Sequence, residues 1–202
     1  MKLAWILPSA TIEECFMRGV VYTELVDFLD ETGGPLFAEQ VLSQADLPHG
    51  GAYSRIGYYP WEEAVRVVTA AAELSGNEVN ALCRAFGEYL FARFTVLYAD
   101  IVNGYGSADA LLAHINDHIH QEVRVLYPDS SPPSVVARNE GDTLVITYAS
   151  HRPFAHIAHG LVAGAMKHFG DTRDLDWIAM SDDGTAASFA ISRPVGTSAA
   201  HG

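Results

Sequence analysis

Three side chains near residue 150 have the types and spacing of a binding site. The run Leu144-Val-Ile-Thr-Tyr-Ala-Ser-His-Arg152 alternates like a strand. Leu144, Ile146, Tyr148, Ser150 and Arg152 therefore share one face. That face begins apolar and ends in two hydroxyls and a guanidinium. Such an end suits an apolar ligand that carries carboxylates. Arginine offers a planar fork that a carboxylate accepts, and the hydroxyls satisfy the remaining lone pairs. The competing reading is a strand that emerges into solvent.

A second candidate lies upstream, in Ile115-Asn-Asp-His-Ile-His120-Gln-Glu-Val-Arg-Val-Leu-Tyr127-Pro. On a helical wheel Leu112, Ile119, Val123 and Leu126 form an apolar stripe with His120 at its margin, near Asn116 and Tyr127. A neutral imidazole that faces a pocket is a good axial ligand for haem iron. The alternative is an ordinary core or surface histidine.

Taken together, these residues resemble the haem-nitric oxide/oxygen binding (H-NOX, HNOB) family, related to the sensor module of soluble guanylate cyclase. The motifs are His120 with Glu122-Val123, Leu126-Tyr127-Pro128, Pro132-Pro133 and Tyr148-x-Ser150-x-Arg152. Met17-Arg-Gly is similar to the family's start, and Phe86-Gly-Glu-Tyr-Leu-Phe91 to an internal segment. Gly160-x-x-x-Gly164 matches its small-residue helix. The similarity runs from about Met17 to Pro194.

The resemblance implies non-covalent haem b, with His120 as the iron ligand and Tyr148, Ser150 and Arg152 on the propionates. Pro133, or its neighbour Pro132, would press on the macrocycle. Val21, Leu25, Leu90, Phe94, Ile157 and Leu161 would line the gas side. Some relatives hold oxygen with a tyrosine where this chain has Ile157, and the companion positions are Leu25 and Leu90. Bound oxygen needs a donor to be held. An apolar wall therefore implies NO and CO binding with poor oxygen binding. The same six residues can also be read as plain core. His156 and His159 share a helix with Ile157, and a shift of one or two residues in phase turns them outward.

The implied action is a switch without chemical turnover, so the chain is not expected to be an enzyme. Weakening of the iron–His120 bond would release the proximal helix, and a partner would read the altered packing. For a stand-alone module, the partner implied by resemblance is a separate histidine kinase or cyclic-di-GMP enzyme.

Composition sets further bounds. The chain has 202 residues, 49% hydrophobic and 18% charged, which suits one globular domain. A net charge of −13 argues against nucleic acid and anionic membranes as partners. Cys15 and Cys83 make no disulfide framework, so a cytoplasmic setting is expected. No Cys-x-x-Cys-His is present for covalent haem attachment. No apolar run reaches membrane-spanning length.

The elements that must position the site read as α+β, an N-terminal helical subdomain followed by a small antiparallel sheet with packed helices. Helices are predicted at 19–32, 35–45, 61–74, 78–102, 108–126 and 154–169, with Asn77 capping the fourth. Residues 46–59 read as loop. Hairpins are predicted over 134–150 and 175–191. Residues 1–16 are expected to be a non-functional extension, 17–194 the single domain and 195–202 a disordered tail.

Some positions depart from the family. Cysteines that bind zinc in some relatives are absent here: Ala155 and Ile157 occupy two of the positions, and 178–191 has none. No zinc is expected. His114 and His118 share a helix face but lack a third ligand, so a solvated face is preferred to a metalloenzyme site. Asp182-Asp183 reads as a turn. The runner-up function is a haem-free small-molecule-binding or scaffold module of the same fold.

Overall fold

The computed structural model describes residues 16–121, 125 and 131–194. A short antiparallel ribbon pairs β1 (Phe16–Arg18) with β2 (Tyr58–Pro60). Between and after them lie α1 (Gly19–Gly33), α2 (Pro35–Gln44), α3 (Trp61–Ser75), α4 (Val79–Leu97) and the single turn α5 (Ala99–Val102). Then come α6 (Ala108–His114), β3 (Ser134–Glu140), β4 (Thr143–Ala149), α7 (Ala155–His168), β5 (Asp174–Met180) and β6 (Ala186–Ser192). The last four strands form one antiparallel sheet in the order β3-β4-β6-β5. The architecture is the α+β layout expected from the sequence.

Local chemistry explains two of the boundaries. Gly76 closes α3 in the left-handed region at φ 72°, where a side chain is strained and glycine is not. The Ser107 hydroxyl accepts from the Ala110 N–H at 3.2 Å and starts α6. Asn77 is not the cap of α4; Glu78 holds that position without a side-chain cap. The helix predicted over 78–102 breaks at Tyr98, whose φ of −129° and ψ of 41° are not helical.

Two differences bear on function. The segment read as loop closes on β2, and β1 includes Phe16, a residue assigned to the extension. The helix predicted over 108–126 is not regular. It passes at Ile115–Ile119 into a π-helical turn, with His120 immediately after it. A π turn inserts extra backbone and rotates the downstream residues relative to α6, and such turns recur at functional sites. Val123, Leu126 and Tyr127 of the predicted stripe lie outside the described residues, as do residues 1–15 and 195–202.

Two cores meet at one junction. The helical core gathers Tyr22, Leu25, Phe28, Val67, Phe86 and Leu90. The sheet core gathers Leu112, Ile146, Tyr148, Val162, Phe189 and Ile191. Helices α4 and α7 cross this junction backbone to backbone. A Cβ on Gly87 would collide with the Ile157 carbonyl, and one on Gly160 with the Arg84 carbonyl. Only glycine permits that approach, and it carries Ile157 and Leu161 to the side where Leu90 and Phe94 stand. No helix among the described residues is long and apolar enough to cross a membrane.

Candidate functional site

Between the two cores lies a cavity of about 850 Å³, within the range that holds a bulky cofactor. All eleven residues singled out from the sequence line it: Val21, Leu25, Leu90, Phe94, His120, Pro133, Tyr148, Ser150, Arg152, Ile157 and Leu161. Pro132 lines it as well. They come from several separate parts of the fold, each for a physical reason.

Strand β4 buries Leu144, Ile146 and Tyr148 and exposes or half-exposes the residues between them, as period two requires. The strand ends at Ala149, one residue earlier than predicted. There the Ser150 N–H donates to the Thr185 carbonyl at 2.8 Å, and the Ser150 hydroxyl accepts from the Arg152 N–H at 3.2 Å. This serine turn replaces the alternation, yet Ser150 and Arg152 still reach the cavity wall.

Arg152 is only 7% exposed. Its Nη2 donates to the Phe16 carbonyl at 3.0 Å, and its Nε has no hydrogen-bond partner among the described residues. Burial holds the Arg152 pKa below its ordinary value, opposed by Tyr148 and Tyr22; a guanidinium nevertheless stays charged. Burial raises the Tyr148 pKa, opposed by Ser150 and Arg152, so the phenol remains a neutral donor. A buried cation without a carboxylate is costly. An anionic ligand group at this end would supply one.

His120, half-buried, stands on the wall with Leu111, Leu112, Ile115 and Ile119 from α6 and the π turn. Pro132 and Pro133 stand on the same wall, just ahead of β3. Val21 and Leu25 come from α1, Leu90 and Phe94 from α4, and Ile157 and Leu161 from α7. The same six side chains pack with the helical core, so wall and core are one surface. None of the six carries a hydrogen-bond donor.

Several features escaped the sequence reading. Arg18, Arg55 and Tyr58 also line the cavity. Arg55 is committed to Glu24, a fully buried carboxylate held at 2.5 Å by Arg55 and at 2.6 Å by Arg93. Nothing local in the loop marks Arg55 for this role. His156 and His159 are not turned outward. His156 lies on the cavity wall with its Nδ1 3.2 Å from Arg84 Nη1. His159 stacks on Trp177, with centroids 4.7 Å apart. Burial, then Arg84 and His156, push the His159 pKa down to about 4. The signal was present in α7, where the face opposite Ile157 meets the sheet rather than solvent.

The remaining candidates stay peripheral. His114 and His118 are exposed, with ring centroids 5.9 Å apart. Among the described residues no three His, Cys, Asp or Glu side chains gather as a metal site would. Asp183 accepts from the Ser181 and Thr185 hydroxyls at 2.7 Å each and from the Thr185 N–H at 3.0 Å, which makes it part of a turn.

The donor set fits haem. Apolar walls suit a macrocycle, an imidazole suits its iron, and a buried guanidinium with two hydroxyls suits carboxylates. Comparison with known proteins agrees. The chain is similar in fold to the unliganded Fe(II) H-NOX protein from K. algicida, at 26% identity and a TM-score of 0.81, over 88% of this chain and 97% of that one. It is similar also to the H-NOX from Shewanella woodyi in the Fe(II)CO ligation state, at 29% identity and a TM-score of 0.74, over 89% and 95%. The H-NOX protein from S. oneidensis in the Fe(II)NO state, at 23% identity and a TM-score of 0.78 over 87% and 98%, shows the same fold. No curated protein matches the chain. The family model for Haem-NO-binding matches residues 18–176, and the chain therefore belongs to that family, the haem-based gas-sensing H-NOX domains.

Proposed function

We propose that this chain senses NO, and CO, at a ferrous haem b, with poor oxygen binding, and signals to a separate partner protein. The observation that carries the reading is the wall made by Val21, Leu25, Leu90, Phe94, Ile157 and Leu161. Haem, when bound, supplies a ferrous iron that takes up diatomic gases. The chain's own residues decide which gas is held. Oxygen gains most from a donor near its outer atom, whereas NO and CO need none. These six side chains offer none.

On the opposite side, His120 would hold the iron, and Tyr148, Ser150 and Arg152 would fix the carboxylates. Pro133 would press on the ring plane. His120 is tied to α6 through the π turn at Ile115–Ile119. Such turns recur at functional sites. Without an iron to hold, His120 and this turn would repack, and that would change the surface a partner reads. The reading needs no turnover, so the chain acts as a sensor rather than an enzyme. A histidine kinase or a cyclic-di-GMP enzyme is the proposed partner class, and the cytoplasm the proposed setting.

The test is the absorption spectrum of the purified, haem-supplied protein, recorded ferrous, in air, and with NO or CO. A Soret band that shifts with NO and CO but not with air is the expected result. A stable oxygen complex would overturn the selectivity. Folded protein with no haem band would favour the haem-free binding module.

A further inference from the structure

We propose that Arg55 gates the passage of gas into this cavity, with Glu24 as its positioning residue. The inference rests on the haem reading and extends it from which gas is held to how fast a gas arrives and leaves.

The segment around Arg55 is wall and surface at once. Arg55, Ile56 and Tyr58 all line the cavity, yet Ile56 is 80% exposed and the Arg55 side chain 45%. A residue that meets both solvent and cavity stands at the cavity's edge. The segment is seated on the start of α1. The Gly19 N–H donates to the Gly57 carbonyl at 2.8 Å, and a Cβ on Gly19 would collide with the Ser54 carbonyl. From there Arg55 reaches along α1 to Glu24, to which its Nη2 donates at 2.5 Å. Glu24 lies three and four positions beyond Val21 and Val20, so it stacks on both one turn later. Val20 and Val21 line the cavity, as does Leu25, the residue after Glu24. Arg55 therefore crosses the cavity's edge beside the wall that faces the gas.

The pair is built to part and re-form. Glu24 is fully buried, and a buried carboxylate stripped of its cation is costly. Here it has two. Arg93 of α4 donates from Nε to the other carboxylate oxygen at 2.6 Å, and Arg93 does not line the cavity. When Arg55 lets go, Arg93 still neutralises the acid, and water solvates the half-exposed guanidinium. One arm holds the charge and the other can move. Val65, Val79 and Met180 are exposed wall residues too, but they are apolar and have no ionic hold.

The experiment measures CO exchange at the ferrous, haem-loaded protein: association after flash photolysis, and dissociation by displacement with excess NO. Arg55→Ala should speed both by about fivefold, the factor to which a lost ion pair of this exposure corresponds. Their ratio should hold, because open and closed forms bind CO alike and a gate acts on rates alone. Arg55→Lys keeps a charge opposite Glu24 and should stay close to wild type. Arg93→Ala takes the same charge from Glu24 but leaves the edge latched, so its rates should match wild type. Equal rates in wild type and Arg55→Ala would overturn the inference and leave the haem reading intact, with the gas passing another edge. A change in dissociation alone would overturn it too, since Arg55 would then touch the bound gas. So would equal acceleration by Arg93→Ala, the mark of a helical core that has loosened as a whole. A wild-type chain that takes up no haem would sink the haem reading and this inference with it.

Discussion

Arg152 donates from Nη2 to the main-chain carbonyl of Phe16 at 3.0 Å, across 136 positions of sequence. The contact joins the first described strand to the residue that closes the β4 run. It also explains why β1 belongs to the site: the strand presents a carbonyl to the buried cation, and Arg18 of β1 and its cross-strand partner Tyr58 of β2 line the same cavity.

Arg152→Ala removes a cation that is 7% exposed. Loss of charge-assisted hydrogen bonds to a carboxylate corresponds to roughly 1.5–3 kcal/mol, or about tenfold to a hundredfold in haem affinity. Haem titration followed at the Soret band measures it, and unchanged affinity would show that the cation serves the Phe16 carbonyl alone.

Ile157→Tyr would bring a phenol donor onto the gas side. The ferrous variant is expected to form an oxygen complex in air where the parent does not. The larger ring carries an overpacking penalty of about 1–3 kcal/mol, because Ile157 also packs with the helical core. Exposure of the ferrous variant to air, read by absorption, checks it; a spectrum indifferent to air would mean that residue 157 does not face the bound gas.

Gly160→Ala tests the crossing of α4 and α7. Its new methyl would meet the Arg84 carbonyl, and backbone cannot yield as a side-chain tip can. A loss of about 1–3 kcal/mol is expected, read as a lower urea midpoint. An unchanged midpoint would show that the helices can part without penalty.

His159 makes stability depend on pH. Its folded pKa is pushed down to about 4, below the ordinary value near 6.5. The unfolded chain therefore binds a proton first as pH falls. This contribution is fully present above about pH 6.5, is lost between there and about pH 4, and then levels off. With the partial exposure of the ring allowed for, the loss is of order 1–2 kcal/mol. Urea midpoints at several pH values should drop through that window, and His159→Gln should flatten the slope. A variant as steep as the parent would assign the dependence to other groups.

Legibility in the sequence tracks the range of the interactions. The apolar face of β4 can be read because Leu144, Ile146 and Tyr148 obey period two, and burial is what that period encodes. The end of α3 and the start of α6 can be read because Gly76 and Ser107 act on their own backbone. Leu25, Leu90 and Ile157 stand out by resemblance alone, since an apolar residue facing a cavity has no local mark that separates it from core. The π turn before His120 has no pattern of its own, and a one-residue change of phase hides inside a helical wheel. Arg18, Tyr58 and the Arg55–Glu24 pair depend on chain closure between β1, α1 and the loop that ends in β2. Composition and periodicity do not report such closure. His156 and His159 are misplaced by the sequence reading because it takes the helix face opposite Ile157 to be wet, whereas Trp177 and Phe189 of the sheet cover it.

The central claim is that this cavity binds haem through His120. The most direct measurement is haem titration of wild type and His120→Gly, with and without added imidazole, in the ferrous state. Wild type should take up one haem per chain with a histidine-ligated ferrous spectrum. His120→Gly should lose that spectrum and regain it when imidazole fills the space. A His120→Gly protein whose ferrous spectrum equals that of wild type without imidazole would contradict the claim.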